Sequence, residues 1–233
     1  MPHVTLRTDD AGVAVLVVER APANAMDVVL LRELVAAVEH VASDPPRALV
    51  LTGRPGFFSA GADLKLVPGY GPQEQRQMIE DINAMALGVY ELPFPVIGAI
   101  TGHAIAGGLV LALCTDIRVA SSAGRYGLTE VKVGVPYPQA AIGVVAAELA
   151  PHAARVLAFG NELIDAGECL RLGVFDEIRD PDEVLPRALE LAAGMATFPP
   201  DVYARTKHDL RGATAERLRT AAAQDPLLAR LAS

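Results

Sequence analysis

The strongest constraint on the fold is an alternation of two periodicities. Short apolar runs of strand length, at 48–52, 95–100 and 116–120, are separated by stretches whose apolar residues return every three to four positions. Residues 72–91 repeat in that helical manner, and so do Leu30, Leu31, Leu34, Val35, Val38 and Val41 behind a capping Asp27. Strand, helix and strand in succession require right-handed crossovers between strands, so the chain reads as an α/β fold and not as a sandwich. Ahead of these, runs at 3–7 and 13–19 bracket the turn from Thr8 to Gly12 and predict a β-hairpin.

Beyond Pro138 the periodicity is mostly helical, over 140–149, 153–159, 165–172, 182–197, 200–210 and 215–223, with one strand at 174–178. A short helix at 226–231 carries Leu227, Leu228 and Leu231 with no evident partner in the chain. For 233 residues this predicts one core domain, 1–195, followed by a helical region, 196–233.

Composition removes several function classes. Half of the chain is apolar (52%) and 21% is charged, which places it among globular proteins and away from disorder. The longest apolar runs, 104–115 and 140–147, fall short of the roughly 18 residues of a membrane span. The beginning of the chain, MPHVTLRTDD, lacks the basic and apolar regions of a secretory signal, and Cys114 and Cys169 read as reduced, buried thiols, so a cytoplasmic location is expected. A net charge of −8 argues against nucleic acid as a partner.

Two glycine turns stand out. In "FFSAGADLK" Gly61 lets the backbone approach closely, and the amides after it are free to face an anion. In "HAIAGGLVLALCTD" Gly107 and Gly108 open a short helix whose first amides have no intrahelical partner. Close packing of a helix on a sheet would also use such turns, and neither matches a dinucleotide or phosphate-loop fingerprint. A third stretch, "RYGLTEVKVGVPYP", alternates at Val131, Val133 and Val135, which predicts a half-buried strand with Glu130 and Lys132 in water.

Taken in order, "SAGADLK", "PVIGAITGHAIAGG", "LALCTDIRVAS", "GLTEVKVGVP" and "AFGNELIDAGECLRLGVFDEI" resemble the crotonase, or enoyl-CoA hydratase/isomerase, superfamily from about residue 22 to 210. The resemblance implies a spiral of repeated ββα units with a C-terminal helical region. It also implies an acyl-CoA thioester substrate, no cofactor beyond the coenzyme A of that substrate, no metal and a homotrimer or hexamer. Two backbone amides, matching Ala62 and Gly107, would form an oxyanion hole, and Ala60, Gly61, Asp63, Leu64, Gly108, Val110 and Pro138 would contact the substrate or its coenzyme A. In "RAPANAMD", Asn24 and Ala25 match the coenzyme A groove, while Asp63, Leu64 and Lys65 follow the first turn, Lys65 at the nucleotide end or simply in solvent.

Family hydratases hold their water with two glutamates. One matches Glu130; the other position is Val110, and where hydratases offer a further amide this chain has Pro138, which has no N–H. A lone base suffices to move a double bond from the 3,4 to the 2,3 position, and the stretch resembles the monofunctional Δ3,Δ2-enoyl-CoA isomerases most. The expected activity is therefore isomerisation of 3-enoyl-CoA to 2-enoyl-CoA with Glu130 as base, its pKa raised by desolvation. Other enolate chemistry (hydration, decarboxylation, C–C cleavage) and a silent acyl-CoA-binding protein are the alternatives. His103 and Asp116 read as structural, and Tyr70 and Tyr137 as core filling or tunnel lining.

Overall fold

A computed structural model of the chain describes residues 2–231. It begins with the antiparallel hairpin β1 (Val4–Thr8) and β2 (Val13–Val18), followed by α1 (Val28–Ser43), which Asp27 caps by accepting the Leu30 amide. Three ββα units come next. They are β3 (Ala48–Thr52), β4 (Gly56–Ser59) and α2 (Pro72–Glu91); β5 (Val96–Ile100), β6 (Gly102–Ile105) and α3 (Gly107–Leu113); and β7 (Ile117–Ser121), β8 (Tyr126–Gly127) and α4 (Glu130–Val133). The chain continues through α5 (Gln139–Glu148), α6 (Pro151–Gly160), α7 (Ala166–Arg171), β9 (Glu177–Arg179), α8 (Val184–Met195), α9 (Pro200–Ala223) and α10 (Pro226–Arg230).

Each unit sends its first strand to one sheet and its second to another. The large sheet runs β1-β2-β3-β5-β7-β9 and is parallel from β2 onward; the small sheet runs β4-β6-β8 and is parallel throughout. This is the spiral of ββα units with trailing helices that the sequence led us to expect. Alternate residues of the large sheet face two cores, as the period of two requires. Leu16, Leu49 and Leu51 join the main core with the helices, while Val15, Val50, Ile97 and Val119 meet Val184, Ala188 and Ala192 of α8 on the other face.

Three expectations need correction. The sequence reading places no strand at 56–59 or 102–105, yet β4 and β6 lie there. The small-sheet strands are four, four and two residues long and carry Gly56, Gly102 and Gly127, so they show neither the length nor the alternation of a strand. The half-buried strand expected across 125–138 is instead β8, a turn and α4. Helices 200–210 and 215–223 are one helix, because Ala215, Leu218 and Ala222 are buried and keep it continuous through Gly212. Leu218 fills the space beside Gly143, where a Cβ would lie 2.0 Å from its Cδ2.

Asp116 anchors that helix. Its carboxylate accepts the Val96 amide (2.9 Å), the Tyr203 hydroxyl (2.9 Å), Lys207 Nζ (2.8 Å) and Arg211 (2.8 Å). Burial lowers the Lys207 pKa even with this partner. The tail leucines do find a neighbour: α10 packs against α2, leaving Leu227, Leu228 and Leu231 half-buried. Both cysteines are buried, and burial pushes each thiol pKa up to about 12. Among the described residues no helix is long and apolar enough to cross a membrane, and no cluster of ligating side chains could hold a metal ion.

Candidate active site

The small sheet delivers the site. The chain leaves the carboxyl ends of its three parallel strands at Ala60, Ala106 and Leu128, and these exits converge on one apolar pocket. Crevices beyond the carboxyl ends of parallel strands are where α/β proteins place ligands.

The first two exits are pressed together. A Cβ on Gly61, whose φ is +74°, would stand 2.8 Å from Ala106 Cβ and 2.9 Å from the Gly107 nitrogen. One on Gly108 would stand 2.3 Å from the Ser59 carbonyl oxygen. Both positions therefore need glycine for backbone contact. Gly107 is different: a Cβ there would meet only Met26 Sδ at 3.7 Å and Gly61 Cα at 3.8 Å, and the residue lines the pocket. Ala106 turns the chain into α3 at φ 53° and ψ −128°, strained for an alanine. Among the described residues, the amides of Ala62 and Gly107 have no hydrogen-bond partner, and both residues line the pocket.

The third exit carries the acid. Thr129 precedes α4, and Gly134 in the left-handed conformation (φ 72°) ends it after a single turn. Glu130 is only 7% exposed, whereas Val131 is 63% exposed. This reverses the expected orientation, in which Glu130 faced water. Tyr137 donates its hydroxyl proton to Glu130 Oε2 at 2.7 Å. Burial raises the Glu130 pKa, with Tyr137 and the amides of Glu130 and Thr129 pulling partly against it; burial and the neighbouring carboxylate push the Tyr137 pKa up. Ile82, Met85, Val110 and Ala141 supply apolar wall.

Of the other residues singled out by sequence, Ala60, Leu64, Val110 and Pro138 also line this pocket. Gly61 and Gly108 sit behind it as packing contacts. Asn24 does not face a groove: it is fully buried, accepts the Arg20 amide at 2.7 Å and donates to the carbonyls of Val18 and Phe58. The Ala25 carbonyl and the Asp63 carboxylate are both held by Arg20, at 2.8 and 2.9 Å. Burial pushes the Asp63 pKa up, but the Arg20 hydrogen bond, the Lys65 amide, the Arg20 charge and the Leu66 amide together outweigh it and hold the carboxyl below its usual range. Lys65 is exposed.

His103 is satisfied locally, accepting the Arg125 amide at Nδ1 (3.0 Å) with its ring 4.7 Å from that of Phe57. Tyr70 lies near α1, its hydroxyl 3.5 Å from the Val28 amide. The Tyr137 hydrogen bond to Glu130 and the strained Ala106 were not foreseen. The first is a tertiary contact with no sequence signal, and an alanine gives none for the second.

A buried carboxylate and two unpartnered amides around one apolar cavity suit removal of a proton from a carbon acid whose carbonyl oxygen gains charge. Comparisons with known proteins agree with that chemistry. The family model for enoyl-CoA hydratase/isomerase matches residues 8–230. A protein of Mycobacterium tuberculosis described as probable enoyl-CoA hydratase EchA17 is 33% identical over 201 residues, 86% of this chain and 77% of that one. Human mitochondrial enoyl-CoA delta isomerase 1 is 33% identical over 221 residues, 90% of this chain and 71% of that one. The crystal structure of human mitochondrial delta3-delta2-enoyl-CoA isomerase superposes with a TM-score of 0.89 at 30% identity, covering 98% of this chain and 90% of that one. The chain belongs to the enoyl-CoA hydratase/isomerase family.

Proposed function

We propose that this protein isomerises 3-enoyl-CoA thioesters to 2-enoyl-CoA thioesters, with Glu130 as its single base and the amides of Ala62 and Gly107 as oxyanion donors. Relatives bear both hydratase and isomerase names, so the choice between reactions falls to the residues of the pocket. The observation that carries it is that Glu130 is the one carboxylate among the described residues lining that pocket, with Val110 on the facing helix. Hydration needs a second group to hold and direct water; a 1,3-proton shift does not.

In this reading the thioester oxygen accepts hydrogen bonds from the two amides. Glu130 takes a proton from C2, the electron pair passes into a dienolate, and the same proton returns at C4 as the C2–C3 double bond forms. Nothing is oxidised and no water is consumed. Each amide would contribute about 3–4 kcal/mol toward the charged intermediate.

The test offers 3-hexenoyl-CoA and 2-hexenoyl-CoA separately to the protein. Conversion of the first to the second, without hydration of the second, is expected, and Glu130→Gln should cut the rate about 10²–10⁴-fold while leaving binding intact. Comparable hydration would favour hydratase chemistry, and binding with no conversion would favour an acyl-CoA carrier. Near-normal turnover by Glu130→Gln would remove Glu130 as the base.

A further inference from the structure

The Glu130–Tyr137 contact has more built around it than core filling requires. Tyr137 lies between Pro136 and Pro138, and a residue before proline is confined to extended conformations. Pro138 in turn leads into α5, whose first two amides are fixed from elsewhere: Gln139 N–H donates to Asp225 Oδ2 (2.8 Å) and Ala140 N–H to Asn83 Oδ1 (2.8 Å). Asn83 and Asp225 are buried and joined to each other at 3.0 Å. The phenol thus stands on a backbone with little freedom, and its hydroxyl is spent on one carboxylate oxygen.

Among the described residues, no ionisable side chain other than Tyr137 is bonded to Glu130. On the same short helix, Lys132 is exposed and reaches Glu162 at 3.4 Å. On α6, which packs against α4, His152 and Arg155 are exposed, and Glu148 of α5 is held by Arg118 and Arg211. The pocket walls from α2 and α3 are apolar at Ile82, Met85 and Val110.

From this geometry we infer that Tyr137 is a positioning residue for Glu130: it holds Oε2 and so leaves Oε1 as the one oxygen that removes and returns the proton. The inference rests on the isomerase reading, because a base that must serve two carbons of one substrate gains most from being unable to turn. The C2–H bond breaks toward Oε1, the electron pair moves into the dienolate, and the O–H bond at Oε1 breaks as C4–H forms. A carboxyl free to rotate would carry the proton away from C4 and let water exchange it.

The experiment uses Tyr137→Phe in the full chain, with thermal melting to establish that it folds. Three readouts are taken. With 3-hexenoyl-CoA, kcat should fall about tenfold with KM little changed, and the acid limb of kcat/KM should move to higher pH, since the anion loses a donor. With substrate deuterated at C2, the share of label found at C4 should drop relative to wild type. In the ligand-free protein, the Glu130 carboxyl followed by ¹³C NMR should titrate at higher pH in the variant than in wild type, and this last readout does not depend on turnover. An unchanged NMR midpoint overturns the inference, as does an unchanged pH limb with undiminished label transfer. Failure of the wild type to isomerise, with the NMR shift present, would instead overturn the isomerase reading and leave Tyr137 holding a carboxylate for another reaction.

Discussion

On one side of the pocket, the turns at 59–62 and 106–108 are held by backbone atoms in direct contact. On the other, Glu130 and Tyr137 are held by side-chain hydrogen bonds that lead back through α5 to Asn83 and Asp225. Backbone contact offers no way to yield, since neither partner has a rotamer to change. A chain of side-chain hydrogen bonds can lose one member and keep the rest. The amide wall should therefore fail abruptly on substitution and the acid wall by degrees.

The largest effect is expected at Gly108. A methyl there overlaps the Ser59 carbonyl carbon and oxygen, at 2.8 and 2.3 Å, so the two turns must separate. Gly108→Ala should cost about 2–4 kcal/mol of stability and at least 10²-fold in rate, through overpacking and a displaced donor. Gly107→Ala, with nothing nearer than 3.7 Å, should melt close to wild type. Thermal melts of the pair decide the matter: similar midpoints would break the contrast between packing glycine and pocket glycine.

This difference also separates what could be read in the sequence from what could not. Strands β2, β3 and β5 and helix α1 were legible because four to six apolar residues, or a full amphipathic repeat with an Asp27 cap, leave a long signal, whereas the strand expected at 174–178 is only the three-residue β9, Glu177–Arg179. The small sheet was not legible, since two to four residues with a glycine carry almost no pattern; yet its strand ends lead into the two amides and the acid of the site. The glycine turns were visible as turns. Glu130 was singled out by resemblance, while the residues around it, V-K-V, suggested a strand of period two. Thr129 before that run and Gly134 after it make it one helical turn, which puts Glu130 inside and Val131 outside. The Tyr137 contact is tertiary and has no spacing rule behind it.

A second prediction concerns the acid wall without reference to turnover. Glu130 has its pKa raised above the ordinary 4.5 by burial. Between 4.5 and the raised value, the folded protein keeps a proton that the unfolded chain has released, so stability falls as pH rises through that window and stays lower above it. Glu130→Gln removes the titration. The variant should therefore be more stable than wild type at pH 8, with the advantage shrinking to nothing below the ordinary carboxylate range. Urea unfolding of both proteins at about pH 4 and pH 8 measures it. A variant less stable at pH 8 would mean that the ionised carboxylate helps hold the wall, bringing it closer in character to the glycine turns.

The smallest effect, and the finest test of the acid wall, lies at Asp225. Its Oδ2 accepts the Gln139 amide and Asn83 Nδ2, while its Oδ1 caps α10 through the Leu227 amide at 3.0 Å. Asp225→Ala should cost about 1–2 kcal/mol, the value of a lost cap and an orphaned amide. Because Tyr137 is two residues before Gln139, loosening the start of α5 should also lower kcat a few-fold. If that loss passes through the phenol, it should shrink when Tyr137 is already Phe, which a double-mutant cycle on kcat measures as a coupling. Additive losses would mean that Asp225 steadies the helix without steering the base, and that the acid wall is two independent supports.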